Sequence, residues 1–225
     1  MKQKLLLPIA VLFAATLLIS NTLETKLFML GSLVLPAGII LFPLAYLFGD
    51  ILTEVYGYAA SRKVIWSGFA AVVLMVVFYE LASVLPPAPF WKNQEAFDTT
   101  LGNVPRIVAA SMMAYLCGEF VNSYVVAKMK VKMAGRKMWL RFLASTFVGQ
   151  FVDTVVFIAI AFTGVFAFPE LLSIAVSAWL VKVGWETLAL PATLLAVKWI
   201  KKVENEDYYD TNTNFNPFVL NNAKA

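Results

Sequence analysis

The chain is dominated by apolar stretches of the length, about 20 residues, that an α-helix needs to cross the hydrocarbon core of a bilayer. They cover residues 5–23, 27–48, 64–85, 106–127, 142–166 and 171–197. No other feature restricts the fold so strongly. In lipid every backbone polar group must be satisfied by protein, so spanning segments are helices or closed barrels. The expectation is an all-α membrane protein of six transmembrane helices, arranged like an S-component or as a 3+3 bundle. Composition agrees: 60% of the residues are hydrophobic and 14% are charged, against about 25% charged in a soluble domain.

The absence of histidine removes His-based catalysis and His-ligated metal sites. Cys117 is the single cysteine and lies in an apolar span, so an internal disulfide and a thiolate cluster are excluded. No cofactor is expected. Residues 5–23 follow a short basic start and resemble a signal peptide in outline, but the apolar run is long and no small-x-small cleavage pattern follows it. It is read as the first membrane helix. The second stretch contains Pro36, Gly38 and Pro43. Proline removes a backbone donor and clashes with the preceding turn, so this span is either kinked or broken beside a cavity. Residues 1–202 form the transmembrane domain, and 203–225 a polar cytoplasmic tail, Asn-rich and expected to be loosely ordered.

The basic residues set the orientation. With a cytoplasmic N-terminus, fourteen of the eighteen fall on the inside, including Arg62, Lys63 and the run from Lys128 to Arg141. Lys26, Lys92 and Arg106 fall outside, and Lys182 lies within a span. This is a positive-inside pattern with both termini cytoplasmic, in the plasma (inner) membrane of a multi-pass protein. The basic excess is thus a topology signal, and nucleic acid is not an expected partner. Three spans followed by three of opposite orientation permit an inverted repeat, though the two halves show no similarity in sequence.

Ionisable residues within spans are few and deep. Asp153 is near the centre of span five, Lys182 and Glu186 straddle the centre of span six, and Glu119 is within a turn of the centre of span four. Each costs about 2.5–3.5 kcal/mol at mid-membrane, so each needs a partner, water or a ligand. Lys182 and Glu186 are four residues apart and can pair on one helix; alternatively Lys182 serves a ligand or a carboxylate elsewhere. Glu119 with Asn122, and Gln150 with Asp153, share helix faces. Ser145, Thr146 and Gly149 extend a small, polar stripe that also suits helix packing. Carboxylates and amides on three helices suit a planar solute with several N–H donors. Phe42, Tyr46, Trp179 and Trp185 are candidate stacking partners, or lipid anchors.

One stretch, residues 42–57, reads Phe-Pro-Leu-Ala-Tyr-Leu-Phe-Gly-Asp-Ile-Leu-Thr-Glu-Val-Tyr-Gly. Asp50 and Glu54 stand one turn apart at its polar end, either solvated at the headgroups or part of a site. With Ala60 and Arg62 it resembles the signature of the queuosine precursor transporters, also described as vitamin-uptake-like. Residues 106–118, residues 145–157, and Lys182 with Pro191 extend the resemblance in order. It implies uptake of 7-deazaguanine bases, in cyano, aminomethyl or queuine form, for tRNA modification. It also implies that Asp50, Arg62, Arg106, Ser145, Asp153, Thr154 and Lys182 matter for transport. Glu54, Glu119, Asn122, Gln150 and Glu186 join the candidate set on depth and charge.

The expected partners are the small-molecule base, the bilayer and a second copy in a homodimer. A competing reading is a vitamin-binding S-component that docks an ATPase module through Ala10 and Ala14. An intramembrane enzyme lacks support, since no Gly-x-Ser-x-Gly motif, Cys pair or second deep aspartate is present.

Overall fold

A computed structural model describes residues 3–23, 26–30, 33–102, 105–165 and 167–219. It contains helices α1 (Leu6–Leu23), α2 (Phe42–Ile51), α3 (Tyr58–Ser83), α4 (Gln94–Leu101), α5 (Pro105–Lys132), α6 (Met138–Phe162) and α7 (Phe168–Glu204), and short strands β1 (Leu27–Leu30) and β2 (Leu33–Pro36). Among the described residues four helices are both long and apolar enough to cross a membrane: α1, α3, α6 and α7. The chain is therefore a mostly helical, multi-pass membrane protein. α5 has the length, at 28 residues, but it is the polar centre of the bundle. It packs on α6, α3 and α2 and buries Glu119, Asn122, Ser123 and Lys130.

The second apolar stretch is not one helix. β1 and β2 pair antiparallel, a 3-10 turn covers Ala37–Ile40, and α2 starts afresh at Phe42. The prolines explain the break. Pro36 ends the hairpin, and Pro43 sits in the first turn of α2, where its missing N–H would lack an intrahelical partner anyway. α2 runs into a single π turn, Leu52–Tyr56, whose five residues are all buried. Gly57 then reverses the chain at φ +85°, and a Cβ there would lie 2.2 Å from the Tyr208 ring. Only glycine meets both demands.

α5 and α6 form the closest pair of helices. A Cβ on Gly118 would fall 2.7 Å from Asp153 Cβ and 3.0 Å from the Gly149 carbonyl, and one on Gly149 would fall 3.0 Å from Asn122 Cβ. Small residues at the crossing thus let the two polar helix faces meet. The apolar core joins α1, α2, α3, α5, α6 and α7 through Phe13, Ile51, Val64, Val126, Phe142 and Val197.

The tail departs from the expected loose ordering. Residues 205–219 cross the ends of α3 and α5 as a strap. Asp210 accepts both of its 3.1 Å hydrogen bonds from the Tyr58 amide, so it caps the N-terminus of α3. Arg62 Nη1 donates to the carbonyls of Asn214 (2.8 Å) and Asn216 (2.7 Å). Trp66 Nε1 donates to the Pro217 carbonyl at 2.8 Å. A polar composition did not prevent ordering, because the strap's carbonyls meet donors that the bundle already presents.

Candidate functional site

Two buried charge clusters result: α2 carries Asp50 into one, and the π turn that follows carries Glu54 into the other. In the deeper cluster α2 supplies Asp50, α5 Glu119 and Asn122, α6 Thr146, Gln150 and Asp153, and α7 Lys182 and Glu186. Asn122 Nδ2 donates to Asp50 Oδ1 at 2.9 Å. Thr146 Oγ1 donates to Glu186 Oε2 at 2.7 Å, and Gln150 Nε2 donates to the other oxygen of Glu186. Lys182 pairs with Asp153 across the α6–α7 interface. Of the two sequence alternatives for Lys182, the pair with a carboxylate on another helix is formed, and Glu186 one turn away also feels its charge.

Asp50, Tyr46, Thr146, Glu186, Leu190 and Thr193 line a crevice of about 10 Å³, room for about one water.

The remaining candidates are placed as follows. Ser145 donates to the Phe142 carbonyl of its own helix at 2.9 Å. Thr154 is buried, and its hydroxyl has no partner among the described residues. Arg106 is in the first turn of α5, but its side chain lies outside the described residues, as does that of Phe42. Of these aromatics whose side chains are described, Tyr46 borders the crevice. Trp179 packs edge-on against Phe147 with centroids 4.5 Å apart, and Trp185 is exposed.

The second cluster surrounds Glu54, which is fully buried. Its Oε1 accepts from Arg141 Nη2 and Lys201 Nζ, each at 2.6 Å, and Lys130 Nζ is 3.6 Å away. Asp207 of the strap bridges Lys130 and Lys201, the latter at 2.8 Å. Asp50 and Glu54 are thus both inside the protein, and neither is a solvated headgroup residue. Burial raises the Asp207 carboxyl, but hydrogen bonds from Lys130 and Lys201 outweigh it and leave the group below its ordinary value. Burial lowers Lys130, with Glu54 opposing. Burial raises Asp210, and Thr213 and the Tyr58 amide offset this in part.

Sequence reasoning missed Arg141, Lys130 and Lys201 as partners of Glu54, because they were counted only as topology charges. The signal was available in principle. A carboxylate in an apolar turn requires cations, and the cations with which α5, α6 and α7 begin or end are the candidates. Among the described residues no group of three or more acidic or thiol ligands could hold a metal ion. Chemically, the deep cluster offers acceptors and one lysine, which suits binding and release of a polar solute.

The model of a family described as "Putative vitamin uptake transporter" matches residues 36–196. A Bacillus subtilis (strain 168) protein named "Probable queuosine precursor transporter" is 29% identical over 186 residues, covering 82% of this chain and 81% of the relative. An Escherichia coli (strain K12) protein named "Queuosine precursor transporter" is 30% identical over 125 residues, covering 56% of this chain and 54% of the relative. No solved structure matches the chain. With its broken second span, its buried polar centre and a family match that runs from Pro36 to Ala196, the chain belongs to the vitamin uptake transporter family, alongside relatives named queuosine precursor transporters.

Proposed function

We propose that this protein imports queuosine precursors, 7-deazaguanine bases, across the plasma (inner) membrane, as a transporter and not an enzyme. The observation that carries the reading is the deep cluster. Four carboxylates and two amides from four helices converge, and intramembrane polar residues gathered in this way mark solute pathways as well as internal pairs. The relatives' names supply the solute class. A carboxylate accepts the paired N–H and NH2 donors of a guanine-like edge, and amides complement the lactam.

In the proposed arrangement α5 and the hairpin with α2 complete six spans with both termini inside, which follows the positive-inside pattern. The strap of residues 205–219 and the Glu54 cluster then face the cytoplasm. A homodimer is part of the same proposal. The S-component reading is the weaker one. Ala10, one half of its docking pair, packs against the protein's own core. The test is uptake of labelled precursor bases by a strain unable to synthesise queuosine. Cells carrying the protein accumulate label and cells lacking it do not. Equal accumulation in both overturns the proposal.

A further inference from the structure

The crevice and the Glu54 cluster are built on the same three elements. The crevice is walled by Asp50 of α2, Phe142 and Thr146 of α6, and Leu190 and Thr193 of α7. Glu54 follows Asp50 by four residues, in the π turn that continues α2. Arg141 immediately precedes Phe142 on α6, and Lys201 follows Thr193 by eight residues on α7, about 12 Å of helix. In the proposed topology α2 and α7 run toward the cytoplasm and α6 runs away from it. All three steps therefore lead to the cytoplasmic side of the crevice. Leu52 and Val197, both 0% exposed, lie in one apolar cluster at the level between.

Glu54 Oε1 joins the walls at that level, holding Arg141 of α6 and Lys201 of α7 at 2.6 Å each. A buried ion pair is weak evidence for stability, because apolar packing joins helices without the desolvation cost. What charges add here is an exchange of partners. Lys201 Nζ is also 2.8 Å from Asp207, which lies just beyond it on the same segment of chain. Lys130 donates to the Glu54 carbonyl as well as to Asp207.

These second partners let α7 leave α2 and α6 without stranding a charge. Lys201 keeps Asp207, Arg141 keeps Glu54, and Lys130 keeps the Glu54 carbonyl. Tyr56 Oη donates to Glu204 Oε1 at 2.9 Å across the same seam. When that bond opens, Glu204 keeps the amides of Lys4, at 3.0 Å, and Leu5. The lone buried charge that makes such a pair costly to break does not arise.

We infer that Glu54, Arg141 and Lys201 form a latch on the cytoplasmic side of the crevice, opened when the end of α7 leaves α2 and α6 and Lys201 passes from Glu54 to Asp207. This rests on the transport proposal above and names the step that lets solute pass inward. The three are positioning residues, since they act through the elements that they join.

The test is the sidedness of thiol labelling. Full-length protein carrying Cys117→Ser and Thr193→Cys places one thiol on the crevice wall. A charged, membrane-impermeant methanethiosulfonate is applied to inside-out vesicles and, separately, to intact cells. Lys201→Met keeps the side-chain stem and removes the charge. It should speed labelling from the cytoplasmic face about tenfold or more, the factor that a hydrogen bond between charged groups is worth. Labelling from the outer face should not change, and Lys201→Arg should restore the slow rate. An unchanged rate in Lys201→Met overturns the inference, and so does an equal rise from both faces, which is general loosening. If Lys201→Met does not accumulate, a tether decides. Tyr56→Cys and Glu204→Cys, in the Cys117→Ser background and joined by a short reducible dithiol linker, should lose uptake of labelled base and regain it on reduction. Uptake unaffected by the tether overturns the latch. Absence of uptake by the untethered wild type is failure of the transport proposal, and is distinct from either outcome for the latch.

Discussion

Removing Asp153 or Lys182 should destabilise the protein by different amounts, and removing both should cost less than the sum. The pair bridges α6 and α7, with the Asp153 side chain 7% exposed and that of Lys182 25% exposed. Breaking a fully buried pair costs about 3–5 kcal/mol, and an exposed pair is worth about 0–1 kcal/mol. Lys182→Met strands the more buried partner and should cost about 3 kcal/mol. Asp153→Asn keeps an amide oxygen that can still accept from Lys182 and should cost about 2 kcal/mol. For a chain of this length that corresponds to melting-temperature drops of about 4–12 °C. The double variant should show a coupling of about 1–3 kcal/mol. The comparison is Lys182→Met with Glu186→Gln, whose coupling should be the smaller of the two, since Glu186 is held by Thr146 and Gln150. The assay is thermal unfolding in detergent alongside membrane abundance. Additive Asp153 and Lys182 effects, or strong coupling of Lys182 to Glu186, would refute the assignment of the pair.

Other perturbations read other parts of the structure. Glu54→Gln leaves Arg141 and Lys130 buried with no carboxylate between them and should cost about 3–5 kcal/mol, seen as lost membrane abundance; a wild-type melting profile would contradict the three-cation cluster. Gly118→Ala drives a methyl into Asp153 and the Gly149 carbonyl and should cost about 1–3 kcal/mol, which the same melting assay measures. Acid should loosen the strap. Asp207 is held below its ordinary carboxylate value by Lys130 and Lys201, so its contribution is present above the unfolded pKa and is lost as pH falls through the folded one. Asp210 is shifted upward and opposes this, so the net change should be modest. The readout is hydrogen exchange, corrected for intrinsic rate, at the Tyr208 amide that donates to Val55 O. Protection that stays constant into the acid range would count against a strap held by Asp207.

The long apolar helices were legible because their lengths and burial follow directly from the bilayer. Depth and charge brought Glu119, Asn122, Gln150, Asp153, Lys182 and Glu186 into one candidate group, the resemblance added Asp50, and the structure brings them into one cluster. What spacing did not reveal is which of them touch. Lys182 has a carboxylate one turn away on its own helix, yet pairs with Asp153, because Gly118 and Gly149 set the α5–α6 distance and α7 packs on the face so presented. The hairpin before α2 was hidden by an apolar run that reads equally as helix or strand. Glu54 looked solvated because its cations come from three distant parts of the chain. The strap was missed because its order depends on Arg62, Trp66 and the free N-terminus of α3, not on any apolar pattern of its own.

The central claim is that this chain by itself moves a 7-deazaguanine base through the deep cluster. The most direct measurement is uptake of labelled aminomethyl base into proteoliposomes containing only the purified protein. The account predicts saturable uptake with no ATP and no second protein present, and its loss in Asp153→Asn reconstituted at equal density. Uptake that requires an ATPase module, or an Asp153→Asn protein that transports at the wild-type rate, would contradict it.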